Sequence, residues 1–473
     1  MEDHMSLINS VFGLQSRNTD DSDTMSDMYR KLLTIAWPAA LEGLLLSLMN
    51  SFDTMMVGKL GPAAIASVGL CAQPRMILLL VAQSLCVGTT AVVARRKGED
   101  RHDAAVSCLK QSLAIITFIG IIITLIGCFG AHGLVRLAGA SAETEPNAAI
   151  YFRIISSAFI LNCWTLCICA AMRGIGETKI TMRVNMTANI VNVFLNYCLI
   201  QGHFGFPALG VRGAAIATAA GTAVSFFMAL RVVLKKEGYL SLNPFGGFAF
   251  DRATVGSLIH VGSGTIAESV FLRVGFLING RLIAGVGTSA YATNQIVMQV
   301  SGLSFTVGDG TASAATSLIG QSLGAGKKEK ARLYVQVVRR VSWIISLAII
   351  LLLVFGRNIL PTLFTEDPVI RSMAALCFII LAVGIVPQNL RVVFAGCLRG
   401  AGDVRYVAVI SLISVLIMRP LLTWAFCYPI HAMFPAMHFN YTGPWISFGL
   451  DALLRAVLLT LRVNQGKWVD IRL

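Results

Sequence analysis

The chain has 473 residues, of which 56% are hydrophobic and 13% charged, with a formal net charge of +14. That balance lies outside soluble globular usage and within that of polytopic membrane proteins. It excludes the nucleic-acid partner that surplus Lys and Arg would suggest in a soluble chain, because most basic residues sit in short loops between apolar runs, where topology explains them.

Residues 1–28 are polar, with Asp20, Asp21, Asp23 and Asp27 close together and no apolar core of a signal peptide. They are expected to form a disordered cytoplasmic tail. Apolar runs of roughly 20 or more residues then follow one another with short breaks, predicting helices at 32–57, 65–93, 106–131, 148–171, 180–201, 210–234, 255–282, 288–319, 334–355, 371–397, 405–428 and 443–462. The expected fold class is an all-α membrane protein of twelve transmembrane helices, in two pseudo-symmetric six-helix lobes around a central cleft. Eleven cysteines, mostly inside the apolar runs and without a CxxC pair, read as small apolar residues rather than metal ligands or a disulfide framework.

The first run, LLTIAWPAALEGLLLSLMNSFDTMMVGKL from Leu32 to Leu60, carries two carboxylates, Glu42 and Asp53. Eleven helical residues make about three turns, so the two share a face about 16 Å apart along the axis. Each is costly in hydrocarbon, and two on one face imply a polar cavity. Asp53, toward the outer end, reads either as an interfacial carboxylate paired with Lys59 or as a protonatable or cation-binding group. Pro38 removes an amide donor and should kink or loosen this helix near Thr34.

On the fifth helix Asn185, Asn189, Asn192 and Asn196 recur at i, i+4, i+7 and i+11, one face of a 3.6-residue helix. Single asparagines in membrane helices often act only as interhelical glue. Four on a stripe point to a wet cavity, with Asn192 and Asn196 at the depth of Asp53.

The loops carrying Arg95, Arg96, Lys97 and Arg101, then Arg173, Lys179 and Arg183, then Arg231, Lys235 and Lys236, and then Lys327, Lys328, Lys330 and Arg332 all fall on one side. The positive-inside rule places both termini in the cytoplasm of a multi-pass protein of the plasma (inner) membrane.

An internal repeat sets the register of the two halves. LRGAGDVR at 398–405 echoes MRGIGETK at 172–179, so Arg399 minus Arg173 gives a shift of 226 residues. The same shift carries Pro38 to Gly264, Glu42 to Glu268, Asp53 to Asn279, Gln83 to Asp309 and Asn162 to Gln388. Six helices per half is an even number, so both copies share one orientation. The expected organisation is a first lobe at 29–237, a cytoplasmic linker at 238–252 and a second lobe at 253–473. Paired six-helix halves suggest a transporter.

Deep in the second half, Glu268 and Asp309 join Glu42 as an acidic inner cavity suited to organic cations, or else are neutralised by Arg273 and Arg391. The expected cavity residues are Glu42, Glu268, Asp309, Asn189, Gln83 and Asn279. Asp451 and Arg455 form an i,i+4 pair read as a structural salt bridge.

The WPAALEGLLLSLMNSFDTMMVGKLG stretch, the two RGxG[ED] loops, GQSLGAGKKEKA at 320–331 and the closing PWISFGLDALLRAVLLTLRVNQGKW together resemble the multidrug and toxic compound extrusion (MATE) family, prokaryotic type. The likeness runs from about residue 30 to the C-terminus. It implies export of cationic, amphipathic compounds in exchange for protons or sodium ions. The chain is expected to be a monomer that touches small organic cations and membrane lipids, with no cofactor beyond the coupling ion. Carried over by motif, the family's first-helix proline and aspartate fall on Pro38 and Asp53, its fourth-helix tyrosine on Tyr151 and its fifth-helix asparagine on Asn192. A second acidic residue of some members is here Asn196, leaving Asp53 the only carboxylate of the outer site and the place where sodium could bind.

Two other functions compete. A flippase for lipid-linked precursors keeps the fold but would be expected to show a strongly basic cavity, whereas here the deep acidic residues match or outnumber the deep basic ones. A membrane-embedded enzyme would need a clustered metal motif or nucleophile in a sizeable loop, and the seven histidines are scattered.

Overall fold

The computed structural model describes residues 24–235, 238–242 and 250–471, and among them the chain is helical, with no strand. Twelve long segments follow the sequence order: α1 Met25–Gly58, α2 Pro62–Gly98, α3 His102–Phe129, α4 Glu145–Ser157 with Phe159–Gly174, α5 Thr178–Gln201 and α6 Val211–Leu234. The second half repeats the count with α7 Arg252–Val286, α8 Thr288–Gly324, α9 Lys328–Gly356, α10 Pro368–Ala401, α11 Val404–Met433 and α12 Phe439–Gln465.

Among the described residues eight of these segments are long and apolar enough to cross a membrane, or nine when the two pieces of α4, bent by 48°, count as one span. The remaining three, α5, α8 and α12, are as long but more polar. They carry the asparagine stripe, Asp309, and Asp451 with Arg455. Polar residues in such helices turn toward protein or water rather than lipid.

Helix ends follow local chemistry. Asp251 precedes α7 and accepts from the backbone nitrogens of Ala253 at 3.0 Å and Thr254 at 3.3 Å. Those bonds, with the Thr254 hydroxyl, hold its carboxyl below the usual carboxylate range. Asp367 caps α10 in the same way, ahead of Pro368 at the first helical position. The helix α1 runs unbroken through Pro38, while Thr34 turns its hydroxyl back onto the Arg30 carbonyl at 2.7 Å. The expected tail at 1–28 lies outside the described residues up to 23, and α1 already begins at Met25. Residues 243–249 of the expected linker also lie outside them.

Contacts divide the chain into two compact units. Among the described residues the N-unit is Leu41–Ile266, and the C-unit holds the chain up to Ala40 together with Ala267 onward. The dividing points in α1 and α7, after Ala40 and after Ile266, are themselves 226 residues apart.

The repeat persists at atomic detail. In the N-unit the Thr90 hydroxyl of α2 donates to the Ala170 carbonyl of α4 at 2.9 Å, and a Cβ on Gly174 would meet the Thr90 carbonyl at 2.7 Å. In the C-unit Thr316 of α8 donates to the Gly396 carbonyl of α10 at 2.8 Å, and a Cβ on Gly400 would meet the Thr316 carbonyl at 2.5 Å. Each residue maps onto its counterpart by the same shift. Small residues bring the backbones close enough for these interhelical bonds to form.

Candidate functional site

Within the N-unit, α1 and α5 face each other through two rungs. Glu42 accepts from the Asn185 amide at 2.6 Å and from the Thr181 hydroxyl at 3.0 Å. Asp53 accepts from the Asn196 amide at 2.7 Å. The carboxylates are eleven residues apart and so are the two amides, so the helices run parallel and in register. Between the rungs a recess of about 40 Å³ is lined by Glu42, Asn185 and Asn189 with Leu45, Met49 and Ile190.

The outer rung is the richer one. With its nitrogen facing Asp53, the Asn192 amide donates to both carboxylate oxygens, at 3.0 and 3.1 Å, and its oxygen accepts from the Thr218 backbone nitrogen at 3.1 Å. Asn192 and Asn196 are buried, whereas Asp53 is half-buried. The buried Tyr151 lies beside Thr218, and Arg75 of α2 acts electrostatically on both Tyr151 and Asp53 without bridging the carboxylate. Among the described residues neither Glu42 nor Asp53 has a cation within 4.0 Å. Both are held by neutral donors, an arrangement that lets an aspartate exchange one counter-charge for another.

The C-unit answers differently. Glu268 is bridged by Arg399, whose Nη2 donates to both carboxylate oxygens at 2.8 Å. Asp451, fully buried, takes Arg455 at 2.6 Å and also Arg419 on the same oxygen. The i,i+4 pair is therefore part of a triad. Arg419 lies over the rings of Phe276 and Phe448 and is flanked in α11 by π-helical stretches at Leu412–Met418 and Phe426–Ile430. Such stretches break the regular register of side chains.

The sequence-derived residues sort accordingly. Asp53, Asn192, Asn196 and Tyr151 come together; Pro38 lies in the part of α1 that belongs to the C-unit. Glu42 and Asn189 share the recess. Glu268 is salt-bridged, but by Arg399 rather than by Arg273 or Arg391. Asn279, the counterpart of Asp53, is buried and donates to its own helix at the Gly275 carbonyl, 3.1 Å away. Gln83 and Asp309 are exposed in the middle of α2 and α8.

Thr181, Thr218, Arg75, Arg399 and Arg419 are the participants that sequence reasoning missed. Thr181 sits four residues before Asn185 and simply extends the stripe. Arg399 was visible only as a motif letter.

Twelve helices in a twofold six-helix repeat define a membrane transporter fold, and solved structures share it. A structure described as the outward-facing conformation of a multidrug resistance MATE family transporter of the MOP superfamily matches with a TM-score of 0.84 and 21% identity, covering 96% of this chain and 100% of that one. A MOP superfamily transporter from Pyrococcus furiosus, described by the reverse polarity of its binding pocket, matches with a TM-score of 0.84 and 21% identity over 97% and 100%.

The MatE family model matches residues 38–198 and again 265–424, two segments whose first residues are 227 apart and whose last residues are 226 apart. The chain belongs to this family, the multidrug and toxic compound extrusion transporters, and is a multi-pass membrane protein. The probable multidrug resistance protein NorM of Thermotoga maritima is 28% identical over 458 residues, 96% of each chain. The uncharacterized transporter YisQ of Bacillus subtilis is 24% identical over 449 residues, 94% of this chain and 96% of that one.

Proposed function

We propose that this protein is a secondary active antiporter that exports cationic amphipathic compounds in exchange for protons or sodium ions by alternating access, with both termini in the cytoplasm. The observation that carries the reading is Asp53: a carboxylate inside the membrane-spanning region, held by two side-chain amides and bridged by no cation among the described residues. Such a group can be neutralised by a proton, or by a sodium ion to which neighbouring amide oxygens could turn. Tyr151 and Thr218 complete its surroundings. Relatives named as multidrug resistance proteins support the cargo class.

Energetics allow the exchange. One positive charge moved outward against 100 mV costs about 2.3 kcal/mol, and one cation moving inward returns as much before any concentration gradient is counted. The test is transport of a fluorescent organic cation in proteoliposomes, with proton and sodium gradients imposed separately. Asp53→Asn should reduce coupled export to background while the purified protein keeps its fold; full activity in the variant would sink the proposal.

The lipid-linked precursor flippase is the second reading, and one observation favours it. Among the described residues of that part of the C-unit, Arg391, Arg399, Arg419 and Arg455 stand with three carboxylates, Glu268, Asp309 and Asp451, so basic side chains outnumber acidic ones there.

A further inference from the structure

Among the described residues Arg75 of α2 is the charged group that acts on Asp53, and its guanidinium makes no hydrogen bond or ion pair there. The side chain is half-buried. A ladder of contacts between α2 and α4 fixes its level. Ser67 donates to the Thr144 carbonyl at 3.2 Å, and one turn on, the Cys71 thiol donates to the Ala148 carbonyl at 3.3 Å. Both contacts join residues 77 apart, so the helices run parallel here. The next turn sets Arg75 level with Phe152 and its neighbour Tyr151, on which Arg75 also acts.

The repeat ties the two charges together. A shift of 226 residues carries Asp53 to Asn279 and Arg75 to Ser301, so the second half lacks both. In the first half the pair sums to zero formal charge. The amides around Asp53 add no negative charge, and both turn nitrogen rather than oxygen toward it. Asn196 donates at 2.7 Å and Asn192 at 3.0 and 3.1 Å, with the Asn192 oxygen taken by the Thr218 backbone nitrogen.

We propose that Arg75 holds sodium off Asp53 and so leaves the proton as the ion exchanged there. Its charge opposes both cations alike, and what separates them is the affinity that remains. A proton forms a covalent O–H bond with the carboxylate and then needs one acceptor. Asn196 has it: its Oδ1 is buried without a hydrogen-bond partner among the described residues, and a half-turn of the amide presents it to the carboxyl. A hard cation is held by several oxygens and by their net negative charge, and Arg75 with two inward-facing amide nitrogens lowers both. This deepens the exporter reading by naming its coupling ion, and as a statement about exchange it rests on that reading.

The test is equilibrium binding of radiolabelled sodium to the full chain in detergent at neutral pH, with Asp53→Asn as the blank. Arg75→Gln should bind sodium on the order of tenfold more tightly than wild type, the electrostatic weight of one like charge removed from a shared polar pocket. Adding Asp53→Asn to that variant should abolish the gain, and Arg75→Lys, which keeps the charge, should bind as weakly as wild type. In proteoliposomes a sodium gradient without a proton gradient should drive export of the fluorescent cation by Arg75→Gln and not by wild type.

Equal sodium affinity in wild type and Arg75→Gln overturns the proposal, and so does Arg75→Lys behaving like Arg75→Gln. Should neither substitution fold, wild type decides alone: saturable, Asp53-dependent sodium binding or sodium-driven export overturns it, and proton-driven export indifferent to sodium upholds it. Absence of export under either gradient, with the order of sodium affinities intact, strikes the exporter reading and leaves the exclusion of sodium standing.

Discussion

Glu42 and Glu268 occupy equivalent positions in the two halves, yet one is held by a threonine and an asparagine and the other by an arginine. The shift of 226 residues explains the difference. Thr181, Asn185, Asn192 and Asn196 of α5 correspond to Val407, Ser411, Met418 and Leu422 of α11. With those amides gone, Glu268 has no equivalent donor set and takes its partner from α10. Arg173, the counterpart of Arg399, makes no ion pair with Glu42. In mid-helix the N-unit thus keeps Glu42 and Asp53 with neutral partners, while the C-unit holds Glu268 and Asp451 in ion pairs. A carboxylate already neutralised by arginine is a poor acceptor for a transported cation, which is why the proposal places coupling at Asp53.

Four substitutions sharpen or break this contrast. The largest effect is expected from Asp53→Asn, with loss of ion-coupled export in proteoliposomes. Arg399→Ala comes next: it leaves Glu268 charged and unpartnered, and should cost about 3 kcal/mol in denaturant or thermal unfolding in detergent, the lower end of the range for breaking a buried pair because Arg399 keeps 24% of its side-chain exposure.

Asn196→Leu installs the residue that the repeat carries at Leu422 and leaves Asp53 with Asn192 alone. Exchange should slow about tenfold, the worth of one hydrogen bond to a charged group. The smallest effect is expected from Glu42→Gln, about 1 kcal/mol by the same unfolding measurement, since the new amide still accepts from Thr181 but no longer pairs with Asn185 as a carboxylate. Equal costs for Arg399→Ala and Glu42→Gln would erase the distinction between a neutral and an ionic half.

The twelve helices and their repeat were legible because both signals are local: runs of apolar residues long enough to span, and two eight-residue echoes. The asparagine stripe was legible for the same reason, since its periodicity lies within one helix, and it brought Asn192 and Asn196 to Asp53 correctly. What was not legible depends on partners far apart in sequence. Arg399 lies 131 residues from Glu268, and nothing near either residue indicates the other. Arg419, a single charge in LISVLIMRPLLTW, and Arg75, in QPRMILLL, were absorbed into their apolar surroundings. The influence of Arg75 on Asp53 emerges only in the folded chain, where α2 packs against α4.

The threonine-to-carbonyl bonds at Thr90 and Thr316 bear on descent. A duplicated chain receives every feature twice and is free to lose one copy of whatever only one half requires. The backbone-to-backbone crossings at Gly174 and Gly400 survive in both halves, whereas the amides of α5 survive in one. What the two halves share is the frame, and what differs between them is its polar lining. Grafting Asn and Thr onto positions 407, 411, 418 and 422 therefore asks whether the second half can be returned to the chemistry of the first without touching the frame.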